Sequence, residues 1–172
     1  MLCSRPLVLC AVFFVAVFVC RSNYYAADIS GTISTTLTIT DNSKLVGDVT
    51  CTVTGSPCIT FGASGLTLDL NGYSMTGLAD PQTGCSGAAT PNEVGILVNM
   101  LQNIVIRGLG LVRQFRNTGI LLVTSTGVTI TGVTASTNCA SGILLGGGSS
   151  DNLIENNISI RNGNLTSACG GI

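Results

Sequence analysis

From Gly95 to the end of the chain, apolar residues alternate with polar ones in runs of three or four, separated by Gly, Asn, Ser and Thr. Alternation of period two places such a run on a strand with one buried face, and no helical spacing of apolar positions extends over the repeats. The runs also recur. Gly95-Ile96-Leu97-Val98 returns as Gly119-Ile120-Leu121-Leu122 and Gly142-Ile143-Leu144-Leu145, and starts again at Gly171-Ile172, at spacings of 24, 23 and 29 residues. Between them, Ile104-Val105-Ile106-Arg107-Gly108 is matched by Val128-Thr129-Ile130-Thr131-Gly132 and, another 24 residues on, by Asn152-Leu153-Ile154-Glu155-Asn156. A period of this size marks a solenoid, in which no repeat buries its apolar face until its neighbours stack on it. Three short strands in about 24 residues leave no room for the helix of a leucine-rich repeat. The expected fold is therefore all-β, a parallel β-helix whose successive coils stack about 4.8 Å apart.

The alternation also assigns the core. Ile96 and Val98, Ile120 and Leu122, and Ile143 and Leu145 point inward from the first strand of each coil, and Leu68, Ile106, Ile130 and Ile154 from the second. The turn after the second strand reads Gly108, Gly132, Asn156, residue types that accept a positive φ. Asn138 and Asn162, 24 apart, are placed to hydrogen-bond along another turn column. Ahead of the repeats, residues 27–65 are Thr-rich, with Ile33, Leu37 and Ile39 alternating against Thr and Ser, and read as an N-terminal β cap and first coil. Such a lid keeps terminal strands from pairing with other chains. Residues 66–172 read as the β-helix repeats, open at the C-terminal end and so available for self-association. The stretch between Gly77 and Val94, rich in Gly, Ala, Thr and Pro, is expected to project as a loop near the first strand. Gly163 to Gly170 lengthens the last repeat, and Gly171-Ile172 opens a coil that nothing caps, as in a truncated gene or fragment.

Composition narrows the setting. Hydrophobic residues make up 45% of the chain and charged ones only 9%, part of which comes from the N-terminus. There Arg5 precedes a 14-residue uncharged and mostly apolar run, Leu7 to Cys20, that ends at Arg21. That length suits the core of a secretory leader and is short for a membrane-spanning helix, so residues 1–26 are expected to be a signal peptide cut near Ala26 or Ala27. The remaining ~145 residues suffice for one domain, and the protein is expected outside the cell. With a net charge of −1 and no basic patch interleaved with aromatics, nucleic acid is not an expected partner.

Five cysteines follow the leader: Cys51, Cys58, Cys85, Cys139 and Cys169. Cys51 and Cys58 are spaced to close a small loop around Gly55-Ser56-Pro57, and Cys139 and Cys169 precede Gly142 and Gly171 in equivalent turns, which makes both pairs disulfide candidates. Cys85 is then left over, to pair with a cysteine outside the chain. The alternative is five buried thiols. No histidine and no CxxC spacing is present, so neither a metal nor a cofactor is expected. Asn157-Ile158-Ser159 and Asn164-Leu165-Thr166 match the N-glycosylation acceptor pattern.

Leu45-Val46-Gly47-Asp48-Val49-Thr50-Cys51, Ile59-Thr60-Phe61, Leu66 to Gly77, Ile106-Arg107-Gly108-Leu109-Gly110, Phe115 and Gly119-Ile120 together resemble secreted right-handed parallel β-helix proteins of the pectin-lyase-like superfamily. The resemblance implies the right-handed form of the helix. It leaves the activity open, because that superfamily holds lyases, hydrolases, epimerases and adhesins. Enzymes on such folds often work from the outer face of one strand column, and the first-strand column here is Leu97, Leu121, Leu144, which supplies no acid, base or ligand. Those leucines are expected to pack under the inserted loop or a partner. The hydrolase Asp-Asp and Gly-His-Gly phrases, the paired arginines of the lyases and the Asp-Pro-His-Asp phrase of the epimerases are absent. No catalytic constellation is visible, and a polysaccharide lyase or hydrolase is the activity implied if there is one. Copper delivery is disfavoured, since only Met75 and Met100 follow the leader.

Asp69, Arg107, Thr131 and Glu155 form an outward stripe on the second strand, one residue per coil. It reads first as a solvated ion-pair ladder, and otherwise as a surface for the hydroxyls and carboxylates of a polysaccharide. The expected function is a secreted module on extracellular polysaccharide, as the N-terminal part of a carbohydrate-active enzyme; the alternative is a noncatalytic structural or adhesive surface protein.

Overall fold

The computed structural model describes residues 27–79, 85, 90 and 92–163, so the expected signal peptide and the last residues of the chain lie outside it. Every regular element in the described residues is a strand. In chain order these are β1 (Ala27–Ile33), β2 (Leu37–Ile39), β3 (Ser43–Cys51), β4 (Ile59–Phe61), β5 (Thr67–Asp69), β6 (Ser74–Thr76), β7 (Ile96–Asn99), β8 (Val105–Arg107), β9 (Leu111–Arg113), β10 (Ile120–Val123), β11 (Thr129–Thr131), β12 (Thr134–Ser136), β13 (Ile143–Gly146), β14 (Leu153–Glu155) and β15 (Ile158–Ile160).

All pairings are parallel, and from β4 onward each strand pairs with the one three places later. One sheet has five strands in the order β2-β4-β7-β10-β13. The other has ten, because the long β3 pairs through Ser43 and Lys44 with β5 and through Val49 and Thr50 with β6. β1 lies on the opposite edge of β3, with a register shift between Ile29 and Gly31. A bulge of this kind, with Gly31 at φ 78, blunts the outer edge of the sheet against pairing with other chains.

Register follows the repeated phrases. Ile96, Ile120 and Ile143 are aligned, as are Leu97, Leu121 and Leu144. Leu68, Ile106, Ile130 and Ile154 form the matching column in the second stack. Like side chains therefore stack on like, and nearly all of the inward set is fully buried. Leu145 and Ile154, at the last described level, are only partly covered. A stack of parallel strands ends this way wherever a level has a neighbour on one side alone.

Glycine opens the repeated phrase for lack of space. A Cβ on Gly95 would stand 2.7 Å from the Phe115 ring, and one on Gly119 would stand 2.7 Å from both Asn138 Nδ2 and Gly142 O. At the turn after the second strand the reason is conformational, since Gly108, Gly132 and Asn156 have φ of 98, 71 and 54.

Asparagine closes the corners of the last repeat. Asn152, Asn157 and Asn162 each accept, through Oδ1, the backbone N–H of the residue 24 positions earlier: Val128, Val133 and Asn138. Each also donates through Nδ2 to a carbonyl 27 positions earlier, that of Ser125, Ile130 or Ala135. Two of the three stand where the preceding repeat has valine, so the corners turn from apolar to polar at this level.

Candidate functional site

The structure aligns the stripe and lengthens it. Asp69 pairs in register with Arg107, Arg107 with Thr131, and Thr131 with Glu155. Below Asp69 stands Lys44, and below that Asp28. The column is thus Asp28, Lys44, Asp69, Arg107, Thr131, Glu155, with charges alternating over its first four positions. Arg107 Nε donates to Asp69 Oδ2 at 2.9 Å, and Lys44 Nζ lies 3.8 Å from Asp28 Oδ1. Asp69 Oδ1 also accepts the N–H of Asn71 and so braces the turn. With side chains 20% to 36% exposed, the Asp69–Arg107 pair is screened by water and contributes about 1 kcal/mol or less. Lys44 and Asp28 were missed in the sequence because β1 and β3 lie outside the 24-residue period.

A second charged cluster is buried. Glu93, 5% exposed, accepts the Gly55 N–H at 2.7 Å and an Nη2 hydrogen of Arg116 at 3.1 Å through Oε1, while Oε2 lies against Arg116 Nε. Arg116 and Glu93 thus form an ion pair. Gly55 belongs to the loop closed by the Cys51–Cys58 disulfide, whose Cα atoms are 6.0 Å apart. Glu93 therefore ties that loop to the turn after β9. Nothing in the sequence marks Glu93, since its partners lie 38 and 23 residues away.

Cys139 is bonded to Cys85, with Cα atoms 5.3 Å apart, and not to Cys169. The expectation of a bond between equivalent turns fails because Cys139 has its partner off the 24-residue period, 54 residues earlier. The inserted stretch leaves after β6, Asn117 Nδ2 approaches the Thr90 carbonyl at 3.5 Å, and Cys85 is held two levels above its own turn, buried with Ala79 and Cys139. Its described residues Ala79, Cys85 and Thr90 thus lie along the turn column, and most of the stretch expected to project as a loop lies outside the described residues. Cys169 lies outside the described residues. Leu97 and Leu121 are half-buried and Leu144 is exposed.

Of the glycosylation candidates, Asn164 lies outside the described residues. Asn157 has its carboxamide turned into the corner, with both ends bonded to backbone. Asp48 is the group whose titration is clearly displaced: the Ser74 N–H and hydroxyl, and more weakly Arg113, hold its carboxyl below the ordinary value of 3.8. At the N-terminal end, a cleft of about 300 Å³ between β1 and β2 is lined by Ile29, Ile33, Leu37 and Ile39 together with Asp28 and Asp41.

Among the described residues there is no group of three side chains that could hold a metal, and no helix is long and apolar enough to cross a membrane. Comparison with protein-family models, with curated proteins and with solved structures returned no match.

Proposed function

We propose that this chain is a right-handed parallel β-helix module that works outside the cell and associates with extracellular polysaccharide. The observation that carries the reading is the stripe from Asp28 to Glu155. It sets carboxylate, ammonium, guanidinium and hydroxyl groups in register at steps of about 4.8 Å, a rigid polar track on which an extended chain of hydroxyls can make repeated hydrogen bonds. Export is supported by two disulfides, which persist in oxidising compartments, and by the leader-like N-terminus. The step from fold to carbohydrate is an analogy and rests on the stripe for its chemistry. A panel of acidic and neutral polysaccharides tests it. Binding to at least one, weakened about tenfold or more by Arg107→Ala together with Glu155→Gln, is expected; absence of binding and cleavage across the panel, or binding that the double variant leaves untouched, refutes the role of the stripe.

A second reading, a noncatalytic structural or adhesive protein, is favoured by the Asp69–Arg107 pair, in which the two charges at the centre of the stripe satisfy each other. A chain that binds no polysaccharide but keeps the Arg107-dependent ladder would stand on this side.

A further inference from the structure

Asparagine is followed by glycine twice, at Asn71-Gly72 and at Asn162-Gly163. This dipeptide is the one most open to loss of the side-chain amide, because no side chain on the glycine hinders attack of its nitrogen on the asparagine Cγ. The fold treats the two sites differently. Asn162 Oδ1 accepts from the N–H and from Nδ2 of Asn138, its Nδ2 donates to Ala135 O and Ser159 Oγ, and the Gly163 N–H donates to Asn138 O at 3.0 Å. Electrophile and nucleophile are both held there. Asn71 and Gly72, by contrast, are exposed in the turn between β5 and β6. The Tyr73 N–H donates to Leu70 O at 2.8 Å, and φ is 48 at Asn71 and 83 at Gly72, which makes a type I′ turn. Among the described residues the Asn71 carboxamide makes one hydrogen bond, from Nδ2 to Leu45 O at 3.0 Å, and the Gly72 N–H makes none.

We propose that Asn71 is a spontaneous modification site, at which water converts the asparagine to aspartate and isoaspartate without an enzyme. The reaction needs the Gly72 nitrogen to face Cγ. Rotation of the central peptide from type I′ to type II′ brings it there, since φ of Asn71 stays positive while its ψ moves to about −120°. Glycine accepts the changed φ at position 72, and the rotation breaks no hydrogen bond of the Gly72 N–H. The Gly72 nitrogen then bonds to Cγ and loses its proton to solvent, the Cγ–Nδ2 bond breaks, and Nδ2 leaves as ammonia. Water opens the resulting cyclic imide at either carbonyl, giving aspartate or, with the main chain now running through Cγ, isoaspartate.

The products alter the turn that braces the charged stripe. The Asn71 N–H is held by Asp69 Oδ1 at 2.9 Å, while Asp69 Oδ2 takes Arg107 Nε. A carboxylate at position 71 removes the donor to Leu45 O and sets a second negative charge two residues from Asp69. Isoaspartate also adds a methylene to the main chain, where the next turn already stands so close that a Cβ on Gly108 would lie 2.6 Å from Asn71 N.

The proposal is independent of the polysaccharide reading. Its test is incubation of the full chain, disulfides intact, at body temperature and mildly alkaline pH, followed by mass spectrometry of the peptides that carry residues 71 and 162. Exchange of NH for O at Asn71, with isoaspartate in the product, is expected at least about a hundredfold faster than at Asn162, where four side-chain bonds and one backbone bond must open first. In urea, which opens both turns, the two residues react at similar rates. Asn162 reacting as fast as Asn71 in the folded protein, or Asn71 reacting only once urea is present, overturns the proposal. Asn71→Gln, whose longer side chain must close a larger and slower ring, loses the acidic form that isoelectric focusing of the aged wild type resolves; an acidic form that appears in this variant at the wild-type rate places the chemistry elsewhere and likewise overturns it.

Discussion

Asn138 lies at the centre of the turn column that joins the three-strand repeats, and replacing it with aspartate isolates the worth of one amide group. The side chain is fully buried. Its Oδ1 accepts the Phe115 N–H at 3.1 Å, while Nδ2 donates to Val112 O at 3.3 Å and to Asn162 Oδ1 at 3.0 Å. Asn138→Asp keeps the shape and the acceptor for Phe115 but turns an oxygen toward two acceptors. A buried acceptor that loses its donor costs about 1–3 kcal/mol. The new carboxyl escapes part of this by holding its proton, which raises its pKa in the folded state above the unfolded value of about 3.9. Below that value the variant carries only the loss of one donor, roughly 2 kcal/mol. As pH rises toward the folded pKa, the penalty grows by about 1.4 kcal/mol per unit, reaching about 4–5 kcal/mol at pH 7 if the folded value lies two units up. Urea unfolding of wild type and variant at pH 4 and pH 7 measures both quantities. A loss under about 1 kcal/mol at pH 7, or a loss equal at the two pH values, refutes the assignment of Nδ2 as a doubly used donor.

Cys85→Ser/Cys139→Ser opens a closure of 54 residues and lowers stability by about 4 kcal/mol on the chain-entropy estimate, whereas Cys51→Ser/Cys58→Ser opens a closure of 7 residues and costs about 2 kcal/mol; denaturant midpoints of the two variants give the order, and the reverse order contradicts the longer closure. Glu93→Gln leaves the Arg116 guanidinium without its counter-charge and the fold about 3 kcal/mol weaker, with greater proteolysis in the Gly55 loop as the local readout. The Asp48 carboxyl, held below its ordinary 3.8, stabilises the fold above that pH and loses the effect as pH falls through its folded value. The stability gap between wild type and Asp48→Asn therefore narrows below pH 3.8, and a gap that widens in acid contradicts the Ser74 hydrogen bonds.

The amino-acid sequence carried the strand repeats, their period and the burial of nearly every inward residue. These are local matters, because alternation fixes which face of a strand is apolar and like residues must stack when equal repeats pair in parallel. The positive-φ column of Gly108, Gly132 and Asn156 was legible for the same reason, as was the Asn138–Asn162 contact at one period's spacing. The short Cys51–Cys58 loop was within reach of spacing alone. What lies off the period was decided only in three dimensions. Cys85 meets Cys139 two levels away, and chain spacing says nothing of where a residue off the period comes to lie. Glu93 finds Gly55 and Arg116, and Lys44 enters the charged stripe, through contacts between the irregular first strands and the regular ones. The carboxamide of Asn157, which the acceptor pattern marks as a surface group, is spent on the backbone of the preceding repeat. A periodic sequence determines the contacts that repeat with it; contacts made once, between segments that share no register, are set by the folded chain.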